Sequence, residues 1–408
     1  MNILVVNAGS SSLKYQLIDS VTGVASAKGL CERIGANGSC IEHKNLVKGT
    51  KSKLESPMKD HADAMKLVVN YLTDKEVGVI ESMDEIGAIG HRVVHGGSYF
   101  SKSILLNDDV LAKLELCKDF APLHTIAHLM GIKGCLDTMP NKPQVLVFDT
   151  SFHQTMEPEA YMYALPYKYY SEYGIRRYGF HGTSHRYVSA EMAKILGKPI
   201  EETKIITCHI GNGSSITAVK GGKVMDTSMG FTPLAGVEMG TRCGDIDPAI
   251  VTLIMEKENM TPAEVNDMMN KKSGFLGITG VSSDSRDVED AIAAGPENPN
   301  YEKALLAVNI LKHQIKKYIG SYAAVMNGLD AVVFTAGIGE NSIMLREMVC
   351  EDLEFFGIEL DKDANKLAFR RSEPTKISKD GGRVSVYVIP TNEELVIARD
   401  TAAIVSAL

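Results

Sequence analysis

The feature that most constrains this chain is a glycine- and serine-rich turn between two apolar runs, written twice, half a chain apart. Near the start, residues 3–6 read as a buried strand, Gly9-Ser10-Ser11-Ser12 as a turn, and residues 13–18 as the returning strand of a hairpin. The same order recurs over residues 204–219, around Gly211-Asn212-Gly213-Ser214-Ser215. Gly9 and Gly211, like Ser12 and Ser214, stand 202 positions apart in a chain of 408 residues. A repeat at that distance predicts two similar domains, each presenting its turn to a shared cleft.

The turn itself has a chemistry. Glycine lets the backbone close tightly, so that successive N–H groups point at one spot, and the serine hydroxyls add donors; an anion such as phosphate fits there. Lys14 adds a point charge for the same anion, and the amide oxygen of Asn7 suits a hydrated cation. An ordinary serine-rich hairpin uses the same residue types, but repetition favours the functional reading. A third apolar run, residues 331–335, ends in Gly337-Ile338-Gly339-Glu340-Asn341, a glycine turn that leaves no side chain in the way of an adenosine moiety.

Composition excludes more than it selects. The length suits two or three domains. A formal charge of −8 with no Lys/Arg stripe argues against a nucleic-acid surface and makes individually placed arginines informative. No apolar run reaches about twenty residues and no signal-peptide pattern appears, so a soluble, cytoplasmic chain is expected. Seven cysteines without a C-x-x-C pair read as free thiols in a reducing compartment. There is no P-loop, no protein-kinase motif set and no G-x-S-x-G elbow, so phosphate handling falls to the hairpins and the arginines.

Two stretches carry a resemblance to a known family. The pattern from Val5 and Val6 through Asn7 to Lys14, and Ile89-Gly90-His91-Arg92-Val93-Val94-His95-Gly96-Gly97, are similar to the two signatures of the acetate kinases, and matching segments continue to Asn392-Glu393-Glu394. That family lies in the acetate and sugar kinase, Hsp70 and actin superfamily. The resemblance implies an α/β fold of two duplicated actin-like, ribonuclease H-like domains, with mixed β-sheets flanked by helices and a cleft between them. It places residues 1–150 plus 391–408 in an N-terminal domain on the acetate and phosphate side, and 151–390 in a C-terminal domain for nucleotide binding and dimerisation. It also implies a homodimer, and magnesium-dependent, reversible transfer of a phosphoryl group from ATP to acetate by direct in-line displacement, giving ADP and acetyl phosphate, with Mn2+ tolerated in place of Mg2+. No nucleic-acid or membrane partner is implied.

The site residues follow in the same terms. Arg92 lies near the end of a strand expected at 84–94, where ligands of mixed sheets gather. It reads as a surface ion-pair partner or, with the resemblance, as the fork that grips acetate or the phosphoryl group. Asp149 lies at the end of a buried strand expected over 144–150 and either caps the next helix or, by resemblance, is catalytic; acetate is already ionised, so its expected part is in a magnesium shell or in orienting an arginine. By resemblance His181 donates to the phosphoryl group in flight; the alternative is a satisfied buried histidine. Arg242 is the second arginine, since transfer spreads charge over three oxygens that one guanidinium cannot cover, or else it pairs with Asp245 or Asp247.

The methyl pocket implied by the resemblance uses Val94, Leu123, Phe180 and Pro233. Nucleotide contacts are implied at Ser12 and Lys14, at His209, Ile210, Gly211, Asn212 and Gly213, at Asp284, Ser285 and Arg286, and at Gly337, Ile338, Gly339, Glu340 and Asn341. The Asp284 segment also reads as a helix N-cap. Asn7 and Glu393 are the implied magnesium contacts, with Glu394 serving the dipole of the last helix. His124 and His128 stand four apart, but no third zinc ligand follows, so a structural part is expected. Two rivals stay open. One is a propionate or butyrate kinase with the same machinery; the other is an actin- or Hsp70-like ATPase, which explains the hairpins but not Arg92, His181 and Arg242.

Overall fold

The computed structural model describes the backbone of all 408 residues and every side chain except those of Pro122 and Leu123. Two short runs set the architecture. Gln144–Phe148 (QVLVF) and Ala331–Thr335 (AVVFT) are buried at every position, which a strand achieves only when both faces of its sheet are covered. Each is a parallel member of a separate mixed sheet, and the chain divides into two compact units, Met1–Phe152 with Asn392–Leu408, and His153–Thr391.

In the first unit the strands are β1 (Asn2–Gly9), β2 (Ser12–Asp19), β3 (Ala25–Glu32), β4 (Cys40–Asn45), β5 (Thr50–Glu55), β6 (Ile86–Val93), β7 (Ile104–Leu105) and β8 (Gln144–Phe148), in the order β5-β4-β3-β2-β1-β6-β8-β7. Strands β1 to β5 form an antiparallel meander, and β6 and β8 add to it in parallel. The second unit has β9 (Lys204–Ile210), β10 (Ser214–Lys220), β11 (Lys223–Thr227), β12 (Ala331–Thr335), β13 (Thr375–Lys376) and β14 (Ser385–Val388), in the order β11-β10-β9-β12-β14-β13. The series β3-β2-β1-β6-β8 and β11-β10-β9-β12-β14 share connectivity and strand direction. The repeat seen in the sequence is therefore a repeat of sheet topology.

Alternation along the strands assigns the two faces. Ile206, Cys208, Ile210, Val332 and Phe334 pack under the long helix Tyr301–Met326, through Leu311, Ile315 and Ile319. Their neighbours Ile205, Ala331 and Val333 pack against Val188 and Met192 of the helix Gly182–Ile195. In the first unit the helix His61–Thr73, capped by the Asp60 carboxylate on the Asp63 N–H at 2.9 Å, covers Leu13, Tyr15 and Leu17 with Ala64, Met65, Val68 and Leu72. The helix Glu393–Val405 lies directly on β6. A Cβ on Gly90 would fall 2.5 Å from Thr401 Oγ1 and 2.7 Å from Ile397 Cγ2.

Several boundaries differ from the sequence expectation. The strand expected at 84–94 starts at Ile86, because Ser82 and Glu85 close a capping box around the single turn Met83–Glu85. The run 337–341 is a short helix, Ala336–Asn341, rather than a turn, since the Glu340 carboxylate folds back onto the Ala336 N–H at 2.8 Å. The last helix starts at Glu393, where Asn392 caps it by accepting from the Leu395 N–H at 3.1 Å. Two elements leave no sign in the sequence pattern. Strand β5 is almost wholly exposed and so lacks alternation, and Gly182–Ile195 buries small polar residues, Thr183, Ser184 and Ser189, that blur its helical period. Among the described residues no helix is long and apolar enough to cross a membrane.

The contact at Gly90 leaves no room for a side chain. Gly90→Val is expected to cost about 1–3 kcal/mol through overpacking between β6 and the last helix. A lowered urea midpoint for the first unit is the expected reading, and an unchanged midpoint refutes the contact.

Candidate active site

In the first unit, β6 carries Arg92 one residue before its end, and Asp149 follows β8, its parallel neighbour. The Asp149 carboxylate accepts from Arg92 Nε at 3.1 Å and Nη2 at 2.7 Å, a two-pronged clasp on one edge of the guanidinium. Asp149 is nearly buried at 3% side-chain exposure, whereas Arg92 keeps 23% and no described residue bonds its Nη1. The adjacent carboxylate pushes the arginine pKa further up. The result is a fixed cationic fork with one edge open. Asp149 thus orients the arginine and caps no helix.

Glu393 and Glu394 open the helix that lies on β6. Burial pushes the Glu393 pKa up to about 7, with Arg92 opposing and the Asp149 and Glu394 charges adding to the rise. A carboxyl driven to hold a proton near neutrality, beside other carboxylates, is a hard oxygen set that a divalent cation would relieve. Asn7 and Lys14 line a cavity of about 410 Å³ with Gln16, Lys28 and Glu394. Glu394 shares this cavity with Asn7, as does Glu42, which pairs with Lys44 and Lys51, while Glu393 interacts with Arg92 and Asp149. Among the described residues no three His, Cys, Asp or Glu side chains form a metal-binding group, so a magnesium here would keep most of its water. His128 supports Val94: its Nε2 accepts from the Val94 N–H at 3.1 Å, and burial lowers its pKa to about 3. His124 is exposed, and Leu123 lies outside the described residues.

In the second unit the turn Gly211-Asn212-Gly213 joins β9 to β10. Ser214 Oγ accepts from the Gly211 N–H at 3.2 Å and donates to the Gly211 carbonyl at 3.0 Å. That hydroxyl ties the turn together, where the sequence suggested a donor for an anion. His181 adopts φ 58° at the start of the helix Gly182–Ile195, and its ring stacks on His209 at 4.1 Å and 16°. Arg242 Nη1 donates to the Pro233 carbonyl at 3.1 Å. The alternative partners are occupied elsewhere: Asp245 accepts from the Gly236 N–H and the Tyr318 hydroxyl, and Asp247 from the Ala249 N–H. Burial pulls the Arg242 pKa down, and no acid opposes it. Arg242 Nη1 and His181 Nε2 converge on one place, 3.4 and 3.6 Å from where a side chain on Gly213 would begin. A partly buried guanidinium without a carboxylate is an incomplete ion pair that an anion completes.

The same turn borders a cavity of about 830 Å³, within the range of small-ligand sites. Gly211, Asn212, Asp284, Ser285, Arg286, Gly337, Ile338 and Asn341 line it. Other nucleotide candidates stand behind the wall. Ile210 is in the core, and His209 Nδ1 bonds Ser184 Oγ at 2.8 Å. Glu340 accepts from the N–H groups of Ala336 and Thr391, and the Gly339 carbonyl accepts from buried Arg346 at 3.0 Å. Asp284 does cap its helix, on the Arg286 N–H at 2.9 Å, and also pairs with the Arg286 side chain. Glu289, Asp290, Phe369 and Arg370 line the cavity without having been singled out in the sequence; only the basic pair Arg370-Arg371 could have drawn attention there. Phe180 is buried and Pro233 half-buried.

Residues 2–399 match the sequence profile of the Acetokinase family. The chain belongs to that family. An acetate kinase of Fusobacterium nucleatum is 58% identical to this acetokinase over 98% of this chain and 99% of its own. One from Thermoanaerobacter pseudethanolicus is 55% identical over the whole of both. The crystal structure of Porphyromonas gingivalis acetate kinase matches with a TM-score of 0.94 at 47% identity, covering 99% of each chain. That of a propionate kinase from Francisella tularensis matches at 0.89 and 42%, covering 98% of this chain and 99% of its own.

In this acetokinase the loop that carries Arg242 also holds a buried acid. Glu238 is 2% exposed, and neither carboxyl oxygen has a partner among the described residues. Burial pushes its pKa from 4.5 up to about 8. The folded state therefore holds a proton that the unfolded chain releases between those values, so the stability present below pH 4.5 is lost as pH rises to about 8. Glu238→Gln is expected to match the parent in urea unfolding at the acid end of that window and to exceed it above the window. Parallel stability curves would contradict the buried neutral acid.

Proposed function

We propose that the protein is an acetate kinase, catalysing reversible phosphoryl transfer from ATP to acetate. The observation that carries this reading is the convergence of Arg242 and His181 on the Gly213 turn, beside the nucleotide-sized cavity that Gly211 and Asn212 line. Adenosine occupies the cavity between the Asp284–Arg286 segment and Gly337–Asn341, and the phosphates run toward the turn. Acetate binds through its carboxylate to the open edge of Arg92. It is ionised at neutral pH, so no general base is needed. Its oxygen forms a bond to the γ-phosphorus as the bond to the bridging oxygen breaks, and the electron pair leaves on ADP. Arg242 and His181 donate to the equatorial oxygens, whose charge is greatest in flight. Asn7 and Glu393, with Glu394 at the same cavity as Asn7, would hold a hydrated magnesium ion, which would neutralise phosphate charge.

By resemblance to the family, Val94 in the first unit and Phe180 and Pro233 in the second are the residues expected to select for the methyl group. One methylene is worth about 1–3 kcal/mol in such a pocket, so lower activity on propionate is expected. A reducing, cytosolic setting suits the seven free cysteines. A homodimer suits the helix Ala249–Glu258, which buries none of its residues although Ile250 and Leu253 are 39% and 52% exposed.

Two measurements test this. Hydroxamate formation from acetate, ATP and magnesium should fall at least about 100-fold in Arg92→Ala and in Arg242→Ala, with circular dichroism unchanged. Near-normal turnover in either variant removes that arginine from the mechanism, a higher kcat/KM on butyrate than on acetate overturns the substrate, and ATP turnover indifferent to acetate favours the ATPase rival. Leu253→Asp should shift sedimentation from dimer to monomer, and an unshifted dimer places the interface elsewhere.

A further inference from the structure

His181 meets the phosphoryl site through Nε2, and what stands behind its other nitrogen decides where its proton sits. Nδ1 lies 2.8 Å from Ser215 Oγ, the same oxygen lies 2.7 Å from His185 Nε2, and His185 Nδ1 lies 2.7 Å from Thr207 Oγ1. Thr207, His185 and Ser215 are all fully buried. Burial, with His153 and His209 adding, holds the His185 pKa well below its usual value, so that ring is neutral and carries one proton.

With His181 in its neutral form, two directions keep the Ser215 proton in the chain; Ser215 accepting from both rings would leave that buried proton without a described acceptor. In the first, Thr207 donates to His185 Nδ1, His185 Nε2–H to Ser215, and Ser215 to His181 Nδ1, so that His181 carries its proton on Nε2. In the second, every bond reverses: Thr207 must turn its hydroxyl to the Thr217 carbonyl at 3.4 Å, and His181 presents a bare Nε2. The first keeps the Thr207 proton in a 2.7 Å bond and puts both imidazoles in the Nε2–H form that the free side chain favours. It also gives a phosphoryl oxygen a donor, where the second sets a lone pair against it.

We propose that Thr207, His185 and Ser215 form a one-way hydrogen-bond chain that fixes neutral His181 with its proton on Nε2, ready to donate to the transferring phosphoryl group. The three are positioning residues, since they act through His181. The inference rests on the kinase reading for its purpose but not for its geometry, and its first test is independent of activity.

In 15N spectra of the histidine-labelled full-length protein, with His181→Gln used for assignment, His181 above pH 7.5 should show a protonated Nε2 and a bare Nδ1, and His185 the same. A proton on Nδ1 of His181 overturns the proposal, whatever the enzyme's substrate. Kinetics supply the second test. Ser215→Ala and His185→Leu should each lower kcat at least about tenfold with little change in KM. His185→Gln, whose amide can donate toward Ser215 and accept from Thr207, should recover most of that loss. Equal losses in the leucine and glutamine variants at matched thermal midpoints would reduce His185 to packing and sink the chain.

Discussion

A guanidinium taken out of water calls for compensation, and Arg92 and Arg242 stand at opposite extremes in this respect. Arg92 is clasped by a nearly buried carboxylate, so the pair is close to neutral and its geometry is fixed before any ligand arrives. Arg242 has a carbonyl and a thioether and no carboxylate, so its charge stands uncancelled. On the proposed assignment, with acetate at Arg92 and the phosphoryl group at Arg242, the distinction matches the chemistry of the two ligands. A monoanion such as acetate needs orientation more than charge, and a clasped fork supplies it. A phosphoryl group gathering charge in transit needs an uncancelled cation, and the Gly213 turn has one beside it.

Much of the scaffold was legible because backbone demands leave marks in sequence. Tight turns need glycine, and strands covered on both faces need unbroken apolar runs, so the two hairpins, β8 and β12 stood out. Strand β5 did not, because pairing at an exposed edge asks little of its side chains. The family resemblance supplied roles that periodicity could not, but it could not say how each side chain is occupied. Ser214 and Ser215 are neighbours of one type, yet Ser214 closes its own turn while Ser215 bridges two histidines. Ser215 lies 34 positions from His181 and 30 from His185, and only the folded sheet brings the three together.

Buried polar groups cluster behind the second site. His153, His181, His185 and His209 stack or tilt against one another among serines and threonines, and their hydrogen bonds run into the sheet itself. Such networks fix side-chain orientation at the cost of desolvation. Arg346 does the same for the cavity wall, donating to the carbonyls of Gly339 and Glu340 and to Asn365 from complete burial. The cavity side of the second unit is thus held by polar contacts that an apolar core could not aim.

The seat of the helix Glu393–Val405 on β6 has a consequence for biosynthesis. Strands β1 and β6 are made well before the last helix, and the face of their sheet at Gly90 waits for residues made some three hundred positions later. The unit formed by His153–Thr391 is contiguous and can close while synthesis continues. The nascent chain must therefore carry the earlier sheet with one side open until Glu393–Val405 has been made, and chaperone capture at that stage would act on the earlier unit rather than on the larger, later one.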